Sequence, residues 1–502
     1  MNDRRIATAA AFALAGFALH LITNGQYGYF RDELYYIQCG EHLDWGYVDH
    51  APLIALVAKA SRVLFGDSLH AIRIFPALAS AALMLLTGLI TRELGGGRLA
   101  VALACLCALV APIWLIMHTL LSMNAFEPLF WMGCVLVLLL VMNRGDPKLL
   151  VWFGVLAGLG LENKHSTLFF GAAVCAGLLL TKDRQLFRSP WLWLAGVIAL
   201  GIFLPNLIWQ YQHHWPTLED LSNVRRTGKN VPVSPLSFIG QQLLIMLPTS
   251  ALVWVAGLWF FLADGIGKRY RALGWTYLVL LGIMMALEGK NYYMAPAYPM
   301  LFAAGGVWWE RRLTTNWARI AITALVAVTG ILLAPLTLPV LPVDTLIKYQ
   351  DAIGIHPPKT EVGQAGALPQ HFGDMFGWPE MVAIVAGVYN HLSPEERPKA
   401  AIYANNYGEA GAIDFFGPIY GLPKAISAHQ TYFFWGPREY TGEVMILLQT
   451  SREDAEDNCA SVEDGPVLNH PYAMAEEHYQ IFVCRGLKPP LKELWPKLKH
   501  WN

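Results

Sequence analysis

From the N-terminus to about Pro342 the chain alternates long apolar runs with short polar breaks, and this alternation leaves little choice of architecture. A helix needs about 20 apolar residues to cross the hydrocarbon core of a bilayer. Eleven stretches fit such a crossing: 6–24, 69–91, 99–117, 124–142, 149–161, 165–181, 190–209, 237–262, 271–287, 292–309 and 318–337. The first lacks a small-residue cleavage site, since Thr23-Asn24-Gly25-Gln26-Tyr27 follows it, and it reads as a span rather than a signal peptide. Hydrophobic residues are 55% of the chain and charged residues 15%, against roughly 25% charged in soluble domains. The charge deficit stops near residue 340. The expected fold is therefore a polytopic α-helical membrane domain over 1–340 and a soluble α/β domain over 341–502. A formal net charge of -1 argues against nucleic acid as partner, because a phosphate-binding surface needs a basic excess.

Lysines and arginines of short loops set the orientation. Arg4 and Arg5 precede the first span. Arg92 and Arg98, Arg144 and Lys148, Lys182, Arg184 and Arg188, Lys268, Arg269 and Arg271, and Arg311 and Arg312 follow every second span after it. All these loops fall on the side of the N-terminus, which is then cytoplasmic. The stretch 149–181 has basic flanks on both ends, so it must cross twice or not at all, and a break sits at Glu162-Asn163-Lys164-His165-Ser166. The first limb is short, which leaves this polar turn below the outer membrane surface. Polar backbone at that depth is tolerated only against protein or a water-filled cavity. An odd number of crossings puts the C-terminal domain outside the cytoplasmic (inner) membrane.

The outer loops hold the unusual residues. Asp32 and Glu33 lie in the first, and a carboxylate there could take the proton from an acceptor hydroxyl attacking a sugar carbon. A sugar phosphate already has a good leaving group, so one base suffices, unlike the pair used in glycoside hydrolysis. The bland alternative is an acidic pair at a helix start, favoured by the dipole. Segment 52–65 is apolar on one face, with Lys59 and Arg62 on the other, and reads as an interfacial helix. Lys164 in the buried turn and Lys290 in Glu288-Gly289-Lys290-Asn291-Tyr292-Tyr293 are cations where positive charge is unexpected. They suit a lipid phosphate, against the alternative of snorkelling to headgroups. The loop 210–236 carries Arg225, Arg226 and Lys229 and reads as a mobile headgroup clamp or a surface touching anionic lipid. Asn124 and Glu127 open the fourth span, either as cap and capping-box partner or as cavity residues. His213 and His214 are adjacent, and no zinc spacing is present.

In the tail, 380–392 and 409–416 read as helices and 400–404, 444–448 and 479–483 as strands. Cys459 and Cys484 are its two cysteines, and a disulfide fits an extracytoplasmic location. Neither a nucleophile triad nor a glycine-rich phosphate loop is present.

Arg31-Asp32-Glu33-Leu34-Tyr35-Tyr36, His50-Ala51-Pro52-Leu53, Leu161-Glu162-Asn163-Lys164-His165-Ser166 and Lys290-Asn291-Tyr292-Tyr293-Met294-Ala295-Pro296 resemble motifs of the GT-C glycosyltransferase superfamily. The resemblance is to the bacterial protein O-mannosyltransferase-like group, which includes the lipid-A aminoarabinose and lipopolysaccharide-core galacturonosyl transferases, and it spans roughly 20–310. It implies a polyprenyl-phosphate sugar as donor, Asp32 as base with Glu33 beside it, and Lys164, Lys290 and Tyr293 at the donor phosphate; by their own charge, Arg225 and Arg226 are expected to join them there. His50, Asn124, Glu127, Asn163, His165 and Tyr292 would line the acceptor cavity. Many relatives carry a second acid at the start of the fourth span, where this chain has Asn124. Some members use a divalent cation, which the sequence leaves open. The expected activity is inverting transfer to a lipid, glycan or protein acceptor on the outer face. A transporter or lipid-linked sugar flippase is the alternative, but no inverted repeat or paired broken helices are evident. A non-enzymatic scaffold leaves the Lys164 turn unexplained.

Overall fold

The computed structural model describes residues 3–228, 233–355 and 366–501. The chain forms two compact units, one of Met1–Gly25, Phe65–Trp209 and Pro232–Leu341, the other of Gln26–Leu64, Gln210–Val231 and Pro342–Asn502.

The first unit is helical. Among the described residues, five helices are long and apolar enough to cross a membrane: Arg4–Thr23, Ile74–Glu93, Met123–Arg144, Pro190–Gln212 and Asn316–Leu336. Pro190–Gln212 has a mean hydropathy of 2.0, yet only 17% of its most apolar window is buried. It exposes Trp193, Val197, Leu200 and Leu204, an apolar surface that calls for lipid around it. Other expected spans are assembled from shorter pieces. The stretch expected as one helix over 237–262 is instead the pair Pro235–Ile245 and Pro248–Leu262, bent by 101°. The cause is local: Leu247 takes φ +71°, and Pro248 has no N–H to continue the ladder. The stretch 99–117 divides before Pro112 into Arg98–Val110 and Pro112–Met117 for the same reason. The hairpin expected at 149–181 is present as Leu150–Asn163 and Thr167–Leu179, with Lys164 extended at the break.

Helices Ala251–Leu262 and Tyr298–Arg312 meet backbone to backbone. A Cβ on Gly257 would lie 2.0 Å from the Leu301 carbonyl oxygen, and one on Gly305 1.9 Å from that of Val253. Small residues permit this approach, which is how helices associate in lipid. At the opposite end of Tyr298–Arg312, Glu310 accepts from the backbone N–H groups of Gly97, Leu99 and Ala100 at 2.5, 2.9 and 3.2 Å. It thereby satisfies donors that the first turn of Arg98–Val110 leaves unpaired.

The second unit is built on a four-stranded sheet. Strands β1 (Ala400–Tyr403), β2 (Val444–Leu447), β3 (Cys459–Val467) and β4 (Gln480–Leu487) take the order β1-β2-β4-β3. β1 and β2 run parallel, and β4 is antiparallel to β2 and to β3. β1, β2 and β4 are the runs read as strands from the sequence. β3 was not anticipated. Its sequence is polar with a Gly465-Pro466 pair, and its residues are largely exposed, as befits an edge strand. Its register breaks between Asp464 and Val467. A disulfide joins Cys459 to Cys484 across β3 and β4. Helices Trp378–His391 and Tyr407–Phe416 match the tail helices expected.

The residues 26–64 and 210–231 also belong to this unit. They form helices Arg31–Glu41 and Pro216–Thr227 and most of Leu53–Phe65. Leu53–Phe65 buries Ile54, Ala55, Ala58 and Ser61 and exposes Leu56, Val63 and Leu64. Arg62 pairs with Glu41. Where a mobile loop was expected, Pro216–Thr227 is a helix. Pro216 pre-sets its first turn, and Gly228 ends it at φ +65°.

Candidate functional site

In the first unit, the break between Leu150–Asn163 and Thr167–Leu179 delivers Lys164 to the start of helix Met123–Arg144. Its ammonium donates to Asn124 Oδ1 at 2.7 Å and to Glu127 Oε2 at 3.1 Å. It also sits 4.4 Å from the ring centre of Tyr293 and 5.5 Å from that of Tyr292, both within cation–π reach. Ser166 Oγ donates to the second oxygen of Glu127. Asn163 donates to the Met123 carbonyl at 2.9 Å, which ties the turn to that helix. The Glu127 side chain is 2% exposed and that of Lys164 14%. Lys290 precedes the short helix Asn291–Ala297.

The capping-box reading of Asn124 and Glu127 does not hold. Ser122 caps this helix, its hydroxyl accepting from Asn124 N at 3.1 Å. Asn124 and Glu127 lie one turn apart on a single face and spend their side chains on Lys164. Asn124, Glu127, Trp114, Met117, Tyr292 and Pro296 line a narrow cleft. His165 lies 3.1 Å from Asn206 Oδ1, with Nε2 donating.

In the second unit, helix Arg31–Glu41 presents Asp32 and Glu33 at its first turn. The two carboxylates have separate surroundings. Glu33 is fully buried and accepts from Phe30 N at 2.8 Å, closing the helix start. Asp32 is half-buried, and its Oδ1 accepts from the Tyr407 hydroxyl at 2.8 Å. One turn further on, Tyr35 donates to Asp49 at 2.8 Å and lies 2.7 Å from Thr431 Oγ1. His50 is buried among Tyr35, Tyr36 and Tyr47, at ring separations of 5.5, 5.0 and 4.5 Å. Burial pushes it down to about 4. It is therefore neutral, and its Nδ1 donates to the Ala51 carbonyl at 2.9 Å. Arg225 and Arg226 are exposed in the last turn of Pro216–Thr227, while Lys229 and Asn230 lie outside the described residues. No three His, Cys, Asp or Glu side chains among the described residues converge as a metal site.

Tyr407 and Ser166 escaped the sequence reading as partners of Asp32 and Glu127. A local signal for Tyr407 existed. Asn406 and Glu409 stand three apart before an apolar run, the pattern of a capping box, and the structure contains that box. It fixes Tyr407 at the first helical position.

Residues 49–209 match the family model described as dolichyl-phosphate-mannose-protein mannosyltransferase. No curated protein sequence matches. Among solved structures, ArnT from Cupriavidus metallidurans bound to undecaprenyl phosphate aligns with a TM-score of 0.61 at 15% identity, covering 96% of this chain and 98% of that one. Its apo state aligns at 0.59 and 14% identity, covering 95% and 97%. At such identity the likeness is one of fold. The chain thus shares the ArnT fold over nearly its whole length, and residues 49–209 carry the match to the mannosyltransferase family model.

Proposed function

We propose that the chain is a membrane-bound glycosyltransferase that moves a sugar from a polyprenyl-phosphate donor to an acceptor on the outer face of the inner membrane. The observation that carries this reading is the Lys164 cluster, an ammonium held between a buried carboxylate, an amide and two tyrosine rings. A buried cation at the mouth of a helical bundle needs an anionic ligand or an internal counter-ion, and here the ammonium has three N–H groups, of which Asn124 and Glu127 accept two. A donor phosphate oxygen takes the third. Support also comes from the fold, since ArnT is known bound to undecaprenyl phosphate.

The reaction is a single displacement. The acceptor oxygen forms a bond to the anomeric carbon, the bond from that carbon to the phosphate oxygen breaks, and configuration inverts. The acceptor proton passes to Asp32, and the polyprenyl phosphate leaves as an anion stabilised by Lys164 and Lys290. Glu33, engaged at the helix start, holds the segment that carries Asp32. Arg225 and Arg226 attract the headgroup, and Asn163, His165 and Tyr292 support the Lys164 turn. In this reading residues 1–340 cross the membrane eleven times, the N-terminus is cytoplasmic, and residues 341–502 are periplasmic. The Cys459–Cys484 disulfide suits that oxidising side.

The test is the Asp32→Asn protein in liposomes supplied with donor and acceptor lipids. It should insert and bind donor like the natural protein while transferring no sugar. Wild-type turnover would remove Asp32 from the reaction. Donor-lipid flux in liposomes that hold no acceptor would favour a flippase instead.

A further inference from the structure

We infer that Tyr407 is a positioning residue for the base carboxylate, so that the C-terminal domain takes part in transfer. This rests on the reading of Asp32 as base. The Tyr407 hydroxyl donates to Asp32 Oδ1 at 2.8 Å across 375 residues of sequence. Burial, and then the charge of Asp32, push the phenol well above its ordinary value. It stays protonated and can only donate to the carboxylate.

Its ring is fixed from several sides. Tyr407 stacks on Tyr35 at 4.6 Å and on His429 at 5.0 Å, and His429 stacks on His500 at 4.6 Å. The Tyr407 backbone N–H donates to His429 Nδ1 at 3.3 Å. The Arg31 guanidinium lies 5.7 Å from the ring centre. The helix that carries Tyr407 comes close to helix Arg31–Glu41 because it has glycine at the contact. A Cβ on Gly411 would stand 2.9 Å from the Leu34 carbonyl carbon.

The geometry gives Tyr407 a defined task. One carboxylate oxygen is tied to the phenol, which sets the plane of the group and leaves the other oxygen to receive a proton. Because Tyr407 touches neither the sugar nor the phosphate in this scheme, its loss should lower kcat and spare donor KM.

The test uses the full chain reconstituted in nanodiscs. Tyr407→Phe keeps the ring stack and removes the hydroxyl. It should lower kcat about tenfold to a hundredfold, the worth of a hydrogen bond to a charged group, with donor KM unchanged. Replacement of Tyr407 by 3,5-difluorotyrosine keeps the shape and the donor, and it should restore the kcat that Tyr407→Phe loses. An inactive Asp32→Asn enzyme together with an unmoved kcat in Tyr407→Phe would overturn the positioning role alone. An active Asp32→Asn enzyme would defeat the reading of the base itself.

Discussion

Lys164→Met separates what the ammonium does for stability from what it does for binding. In the folded chain Glu127 is 2% exposed and faces Lys164 at 3.1 Å and Ser166. Methionine keeps the stem and removes the charge, which leaves a buried carboxylate with a single hydroxyl partner. Breaking a buried ion pair from one side costs about 3–5 kcal/mol. Replacing both partners by neutral groups of similar shape is close to neutral, so Lys164→Met with Glu127→Gln should recover stability to within about 1 kcal/mol of the natural protein. The cycle thus has a coupling energy of at least about 2–4 kcal/mol, to which the cost of Glu127→Gln alone adds. Binding should not recover, because the phosphate loses a charge-assisted hydrogen bond in both variants. That loss is worth about 1.5–3 kcal/mol, or a Kd for undecaprenyl phosphate weakened about tenfold to a hundredfold. Unfolding in nanodiscs, followed by tryptophan fluorescence, reads the first quantity, and titration with undecaprenyl phosphate reads the second. A double variant no more stable than the sum of its singles would refute the ion-pair argument. Undiminished lipid affinity in Lys164→Met would refute the phosphate assignment.

Two further outcomes follow from the second unit. Burial pushes the Glu409 carboxyl up to about 7 from an ordinary 4.5, beside Tyr479, Glu476 and Glu477. The folded chain therefore holds this proton more tightly than the unfolded one, and the stabilisation is full below about 4.5 and lost as pH rises through about 7. Hydrogen exchange of helix Tyr407–Phe416 should speed up over that window by up to about 1.4 kcal/mol per pH unit, and Glu409→Gln should flatten the dependence; an unchanged slope would count against it. The Cys459–Cys484 disulfide should block maleimide labelling of both sulfurs in protein isolated without reductant. Cys484→Ser should destabilise the sheet by about 2–4 kcal/mol, seen as faster exchange in β3; equal protection would mean that β3 is held by its ladder alone.

Much of this was legible in the primary structure where the signal is local. The break at Lys164 showed because a polar turn interrupts two apolar runs. Strands β1, β2 and β4 showed because they are short apolar stretches between turns. β3 did not, since an exposed edge is selected for charge and not for apolar alternation. The bend at Leu247–Pro248 hid inside a continuous apolar run, where composition reports burial in lipid and not direction. Glu127 stood between two readings because its spacing from Asn124 fits a cap equally well, and only the third partner, Lys164, decides between the two uses. For the contact between Asp32 and Tyr407, the capping box at Asn406 and Glu409 marks where Tyr407 stands but not which residue it meets.

The sheet of the second unit ends deliberately at both sides. Outside β1, the segment at Ile426 exchanges hydrogen bonds with Ile402 and Ala404 at 2.9 and 3.0 Å, so the end of that margin is already paired. At the other margin, the slip between Asp464 and Val467 and the missing N–H of Pro466 interrupt the row of donors that a stranger's strand would need. Many copies crowded side by side would therefore find a poor template for fibre growth. The domain can stay concentrated without zippering to its neighbours.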